Sequence, residues 1–202
     1  MNLEGWLRHN ESQIAVRWFQ ELRSGVEGGS DEGTKLLESM VNHLVSFLPP
    51  CFGMQRDLGM DVWQQAAHLY GSLAVRRGLA AGEVVEELQL LRNVILRLFL
   101  LDAPSPLEGS NENAGPAGRG ILPLELLTLN RLLDMGVSRA SIAYVDDLFF
   151  AHLQGSGVPE GITSELVEET ERQLLGFEEE LRNRSGAGKT SETGETHGLG
   201  GG

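Results

Sequence analysis

The strongest constraint on the fold is the spacing of apolar residues between positions 61 and 101. In the second half of this segment, apolar residues recur at alternating steps of four and three: Val84, Leu88, Leu91, Ile95 and Leu98. Such steps place side chains on one face of an α-helix. The first half repeats the same period from Trp63 to Ala74, and Gly78 and Gly82 separate the two halves. The segment therefore predicts a helical hairpin.

The same periodicity extends to both sides of the hairpin. Apolar stripes at residues 3–22 and 37–47 predict two earlier helices, and Pro49-Pro50 ends the second because proline cannot continue the helical hydrogen bonds. We expect Asp61 to cap the third helix. A stripe from Leu126 to Leu148 predicts a fifth helix on the order of 40 Å long. Since so long an apolar face needs cover, we expect a second copy of the chain to supply part of it.

An acidic helix is predicted near the C-terminal end, after a Gly/Ser linker. Its apolar positions follow the narrow spacing of a coiled-coil seam: Val167, Thr170, Leu174, Phe177 and Leu181. We divide the chain into a helical bundle at residues 1–154 with a mobile loop at 103–120, a linker and coiled-coil-like helix at 155–184, and a disordered tail at 185–202. The predicted fold class is all-α, a compact helical bundle of five or six helices with a long fifth helix and a trailing acidic helix.

Charge and composition exclude several classes of function. The net charge of −13 argues against a nucleic-acid partner, which needs a basic face, and against an anionic membrane surface. The single cysteine, Cys51, excludes an internal disulfide framework. The sequence opens without the basic and then apolar pattern of a signal peptide. Its longest apolar run, at residues 94–101, contains Arg97 and is too short for a bilayer. We therefore expect a cytoplasmic protein without membrane insertion.

Residues that could carry out catalysis are scattered. The histidines lack the short helical spacing of a metal site: His9, His43, His68, His152 and His197. Cys51 has no local His as a base, so we interpret it as a semi-buried side chain. The glycine-rich segments lack the Lys-Ser/Thr ending of a phosphate-binding loop. The sequence therefore predicts neither an enzyme nor a metal or cofactor site.

Charged residues concentrate near the turn of the hairpin. The set comprises Arg76, Arg77, Arg92, Glu83, Glu86 and Glu87. One interpretation is a solvated face of weak salt bridges, and the other is a docking surface anchored by arginines. His68 lies in the same hairpin, where it could hydrogen-bond Glu86 or Glu87 across the turn. Both interpretations of the charged set stay open at this stage.

The hairpin also carries a pattern of particular residue types. A His precedes a Gly by three residues, an Arg pair precedes a Gly, and a Glu and Leu-Leu-Arg follow on the next helix: His68, Gly71, Arg76 or Arg77, Gly78, Glu86 or Glu87, Leu90, Leu91 and Arg92. Further on, Leu129-Asn130 and Asp134 precede an apolar run to Tyr144. These residues resemble the N-terminal helical regulatory domain of RsbRD-type stressosome co-antagonists, which is also found at the front of some bacterial sensor histidine kinases. The resemblance extends from Trp6 to about Phe150.

The resemblance implies a function without catalysis. It implies a signalling regulator or sensor domain in bacterial stress or two-component signalling, which acts as a homodimer and binds protein partners. The residues implied for signalling or partner binding are His68, Arg76, Arg77, Glu86, Glu87, Arg92 and Asp134.

A second resemblance lies in the acidic helix. Residues 177–183 resemble the phospho-acceptor segment of sensor histidine kinases, in which a His precedes Glu-Leu-Arg-Asn-Pro. Glu179 occupies the His position and Arg184 the Pro position. A carboxylate cannot take the phosphoryl group as an imidazole does, so we expect no kinase activity. The alternative interpretation is a solvated acidic helix whose residues match this segment by chance.

Two other classes of function remain open. One is a ligand- or haem-sensing helical bundle of globin-like type, in which His68 is the candidate haem ligand. The other is an enzyme whose site would gather Glu, Asp and His side chains with shifted pKa values in a deep pocket. The sequence identifies neither the input signal nor the protein partner.

Overall fold

The computed structural model describes residues 2–24, 30–102, 123–155, 157 and 161–187. Within these ranges the regular structure is helical throughout: α1 (Leu3–Ser24), α2 (Asp31–Ser46), a 3₁₀ turn (Pro49–Phe52), α3 (Arg56–Arg76), α4 (Ala81–Asp102), α5 (Pro123–Leu153) and α6 (Ser164–Ala187). The all-α prediction is confirmed. The long fifth helix is also present: α5 has 31 residues and is therefore about 46 Å long.

Two helix boundaries differ from the sequence-based expectation, and two predicted segments lie outside the described residues. The helix α3 begins at Arg56, so Asp61 lies inside it and the prediction of an Asp61 cap was wrong. The earlier start follows from packing, because Gly59 lies directly against the backbone of Pro50 and Cys51 and joins α3 closely to the 3₁₀ turn. The helix α6 continues to Ala187, past the predicted start of the tail at residue 185. The loop predicted at 103–120 and residues 188–202 of the predicted tail lie outside the described residues.

The core is built around buried aromatic side chains from two helices, α1 and α3. Trp6, Trp18, Trp63 and Tyr70 are almost completely buried. Two indoles still hydrogen-bond to backbone carbonyls of other helices: Trp18 Nε1 donates to Glu87 O at 2.8 Å, and Trp63 Nε1 donates to Leu44 O at 3.0 Å. Because a buried N–H without an acceptor is costly, these bonds let the rings enter the core. The predicted stripe from Val84 to Leu98 faces the same core.

The helices α3 and α5 run side by side in the same direction and approach closely. Successive contacts pair Trp63 with Gly136 and Gly71 with Ala140. A Cβ atom on Gly71 would overlap the backbone of Ala140, so only glycine permits this approach. Farther along, the Tyr144 hydroxyl donates to the carbonyl of Leu79 at 2.8 Å, just beyond the end of α3.

The last part of α5 extends past its partner helix. Since α3 ends at Arg76, α5 has no α3 residue alongside it after Tyr144. Leu148, predicted as part of the buried stripe, is instead 42% exposed. The upstream stripe residues Leu129, Leu133 and Ala140 are buried as expected.

The acidic helix α6 returns to the bundle and packs against α2 and α3. Thr170 and Leu174 are almost fully buried, and Phe177 meets Phe47 edge to face at 6.4 Å between ring centroids. His43 Nε2 on α2 also lies 3.4 Å from a carboxylate oxygen of Glu178. The seam recognised in the sequence therefore has its partner within the same chain.

Among the described residues, none of the helices combines the length and the apolar character that a bilayer-spanning segment requires.

Candidate functional sites

A largely buried group of polar and charged side chains lies between the end of α3 and α4. Arg77 forms two parallel bonds with Glu87: Nη2 to Oε1 at 2.6 Å and Nη1 to Oε2 at 2.8 Å. The Tyr70 hydroxyl donates to the same Oε2 atom at 2.5 Å. The side chains of Arg77 and Glu87 are only 12% and 10% exposed. These two members of the predicted partner-binding set therefore face each other inside the bundle and present little charge to solvent.

The interior position changes how this group titrates. Burial, and then the negative charge of Glu87, raise the pKa of Tyr70 well above its usual value. Burial alone would lower the pKa of Arg77, but the oxygens of Tyr70 and Glu87 outweigh it, so the pKa of Arg77 is raised. Tyr70 thus stays protonated and Arg77 charged at any physiological pH. The group is therefore suited to holding the end of α3 against α4 in a fixed register.

Arg92 and Asp134 connect α4 to α5. The guanidinium of Arg92 forms an ion pair with the Asp134 carboxylate. Asp134 is mostly exposed, whereas the Nε atom of Arg92 is buried and makes no hydrogen bond within the part of the chain that the structure describes. The structure thus brings Arg92, from the hairpin part of the sequence pattern, into contact with Asp134, from its second part. Glu86 lies one position from the buried Glu87 and is exposed.

His68 and Glu179 lie on the outer surface. His68 is exposed on α3 and lines an open depression with Asp61, Arg139 and Glu180. Among the described residues it makes no hydrogen bond with Glu86 or Glu87, since Glu87 is engaged by Arg77. Glu179 is exposed on α6. His68 therefore lies at the surface of the bundle and is not among the residues that form its buried core.

Cys51 is buried in the 3₁₀ turn. Its Sγ atom lies 3.2 Å from the carbonyl oxygen of Phe47, to which the thiol donates. Burial raises the pKa of the Cys51 thiol from 9.0 to about 12. A thiol with so high a pKa is a poor nucleophile at neutral pH. Within the described ranges, no three His, Cys, Asp or Glu side chains come close enough to hold a metal ion together.

Arg76 lies at the edge of a cleft of about 460 Å³. The cleft is formed where the ends of α1 and α3 meet the first turn of α2 and the segment that leads into α6. Arg23 and Arg77 line it together with Arg76, and we call it the arginine cleft. Sequence reasoning missed this site because Arg23 comes from a helix that carries no recognisable motif.

An exposed apolar surface covers the end of α5. Its members are half-exposed side chains, and together we call them the α5 apolar patch: Ile142, Val145, Leu148, Phe149, Phe150 and Leu153. Contiguous apolar patches of this size on a protein surface mark contact sites. The sequence signal was the adjacent trio Leu148-Phe149-Phe150, which no single helix face could bury at once.

Compared with protein-family models, with curated proteins and with solved structures, the chain has no match in any of the three comparisons.

Proposed function

We propose that this chain is a non-catalytic signalling regulator or sensor domain that acts through helix-mediated dimerisation and partner binding. The context of bacterial stress or two-component signalling comes from the resemblance of its hairpin to the RsbRD-type regulatory domain. The observation that carries the contact role is the α5 apolar patch, which lies on the helix that contacts both helices of that hairpin, α3 and α4. A surface of this kind costs free energy while it faces water.

A second copy of this chain is the occupant that fits the patch. Six apolar side chains of about 200 Å² each, roughly half exposed, offer on the order of 600 Å². With the polar residues around them, this approaches the roughly 800 Å² per partner of a stable interface. In a twofold dimer the same patch is used twice, so no second surface is needed.

The spacing within the patch also favours a twofold pair. Val145, Phe149 and Leu153 follow one another at steps of four, so they share one face of α5 and are symmetric about Phe149. When two copies of α5 cross in opposite directions at Phe149, Val145 of each copy faces Leu153 of the other. Each large side chain then meets an apolar side chain instead of water.

The long helix provides a route from this interface into the bundle. The patch surrounds and follows the point where α5 passes the end of α3, and at that point the Tyr144 hydroxyl donates a hydrogen bond to the carbonyl of Leu79. One turn earlier in α5, the backbone of Ala140 packs directly against Gly71 of α3. Because these contacts tolerate little displacement, a shift of α5 at the dimer interface would move the hairpin that carries Arg77 and Glu87.

Sedimentation velocity tests the dimer directly. We expect the full chain to sediment as a dimer and Phe149→Asp to sediment as a monomer, since the new carboxylate would be buried without a partner. Leu175→Asp on α6 is the matched control, because Leu175 is 54% exposed and Phe149 is 56% exposed. The control should remain a dimer. A monomeric native chain, or a control that dissociates equally, would contradict the proposal.

Cysteine cross-linking tests the proposed crossing. In a Cys51→Ala background, Phe149→Cys should form disulfide-linked dimers on mild oxidation because this residue lies on the twofold axis. Val145→Cys alone should not, whereas Val145→Cys with Leu153→Cys in the same chain should. Efficient cross-linking of Val145→Cys alone would place the two helices in a different register.

A further inference from the structure

The arginine cleft gathers positive charge in a strongly acidic protein. The chain has 29 acidic and 16 basic residues, yet none of the described residues that line the cleft is acidic. Arg23 reaches it from the end of α1, and Arg76 and Arg77 reach it from the end of α3. The peptide N–H of Gly161 donates to the carbonyl of Arg76 at 3.1 Å and closes one wall. The chain thus brings distant segments together around guanidinium groups.

Among the described residues, the carboxylates in the first turn of α2 and that of Glu87 are engaged with other partners. Asp31 is paired with Lys35 at 2.7 Å, and Glu32 accepts a hydrogen bond from the Ser164 hydroxyl at 2.6 Å. Glu87 is satisfied by Arg77 and Tyr70, as described above. Within the described part of the chain, no carboxylate forms an ion pair with Arg23 or Arg76. With respect to the described residues, the guanidinium groups of Arg23 and Arg76 therefore keep their capacity for an external anion.

The first turn of α2 adds polar groups to the same cleft. Ser30 and Thr34 line it, and the Ser30 hydroxyl accepts the N–H of Gly33 at 3.0 Å as the cap of α2. The N-terminal end of α2, which is the positive end of its helix dipole, therefore borders the cleft. Two guanidinium groups together with this helix end match the several oxygens of a phosphate better than the two oxygens of a carboxylate.

The remaining lining is apolar. Leu37, Leu79 and Ile162 lie beside the charged groups. The volume of about 460 Å³ is within the range of sites for small organic ligands, which is roughly 300–1,000 Å³. An inorganic anion would leave these side chains facing water, whereas a phosphate attached to an apolar group would cover them.

We infer that the arginine cleft is a binding site for a small phosphate monoester with an apolar body, held by Arg23 and Arg76. Arg77 adds positive charge to the lining of the cleft but stays paired with Glu87, so its main role is structural. This site is independent of the dimer proposed above, because its residues lie outside the α5 apolar patch.

Calorimetric titration of the full chain with three probes at constant ionic strength tests the inference. Phenyl phosphate has the anion and the apolar body, inorganic phosphate has the anion alone, and phenylacetate has the body with a carboxylate. We expect phenyl phosphate to bind about tenfold more tightly than either of the others, since each lacks one group of contacts. Equal binding of phenylacetate would overturn the assignment to phosphate, and no saturable binding of phenyl phosphate would overturn the site.

Charge-neutral variants locate the site. Arg76→Gln and Arg23→Gln should each weaken phenyl phosphate about tenfold, as expected for loss of a charge-assisted hydrogen bond. Arg139→Gln removes the same charge from the exposed depression beside His68 and should leave the affinity within about twofold. Circular dichroism confirms that each variant is folded. An equal loss in Arg139→Gln would mean attraction by overall charge and would contradict the site.

Discussion

Arg77, which caps the C-terminal end of α3, and Glu87 on α4 form an ion pair through two parallel hydrogen bonds inside the bundle, with N–O distances of 2.6 and 2.8 Å. The pair connects the two helices of the hairpin close to its turn, and the Tyr70 hydroxyl donates a further hydrogen bond to Glu87. Because neither charge can reach water easily, each depends on the other. The pair thus fixes the register of α3 against α4 and leaves the outer face of the hairpin to Arg76 and Glu86.

Removal of one member of this pair should cost more than removal of both. We expect Arg77→Met or Glu87→Leu alone to lower the free energy of unfolding by about 3–5 kcal/mol, since each leaves a buried charge without its partner. The double variant should lose less than the sum of the two. Urea unfolding measures all three. As a control, Glu21→Gln removes the exposed pair with Arg97 and should cost less than about 1 kcal/mol. Additive losses would mean that the two charges do not depend on each other.

A methyl group should have opposite effects at two helical glycines. Gly71→Ala should destabilise the protein by about 3 kcal/mol or more, because the new Cβ would overlap the backbone of Ala140. Gly176→Ala on α6 meets open space and should stabilise it by about 0.5–1 kcal/mol through helix propensity. Thermal unfolding compares the two variants. A tolerated Gly71→Ala would show that α3 and α5 are not in close contact.

Two adjacent leucines test whether α6 belongs to the bundle. Leu174 is fully buried and Leu175 is 54% exposed. Leu174→Ala should cost about 2–5 kcal/mol and speed hydrogen exchange along α6, because it leaves a cavity against α2 and α3. Leu175→Ala should change stability by less than about 0.5 kcal/mol. Similar small effects of the two would indicate an acidic helix that is detached from the bundle.

Cys51 should make stability fall at alkaline pH. An unfolded thiol loses its proton near pH 9, whereas burial raises the pKa of Cys51 to about 12. Between these values the unfolded chain binds fewer protons than the folded one, so the free energy of unfolding decreases as pH rises, by at most about 1.4 kcal/mol per pH unit. Below pH 9 the contribution is fully present. The difference between the native chain and Cys51→Ala, measured by urea unfolding from pH 8 to 11, isolates it. Parallel pH profiles of the two proteins would exclude this contribution.

Helical periodicity predicted most of the helices and their apolar faces. It did not predict which helices pack against each other or where along a helix such packing ends. The stripe from Val84 to Leu98 is buried because side chains four and three residues apart share a face in any α-helix. The stripe of α5 was extended too far, to Leu148, because periodicity does not reveal where the neighbouring helix α3 ends. For the same reason the seam of α6 was recognised while its partner helices were not.

The amino-acid sequence by itself determined that this protein is all-helical, that its fifth helix is long, and which side chains form the apolar stripes. Only the tertiary structure decided that Arg77 lies buried against Glu87 while its neighbour Arg76 opens to a cleft. Periodicity is a local property that each helix carries alone. The pairing of charges depends on the register and direction of helices that are far apart in the chain, and close contacts such as Gly71 with Ala140 set that register.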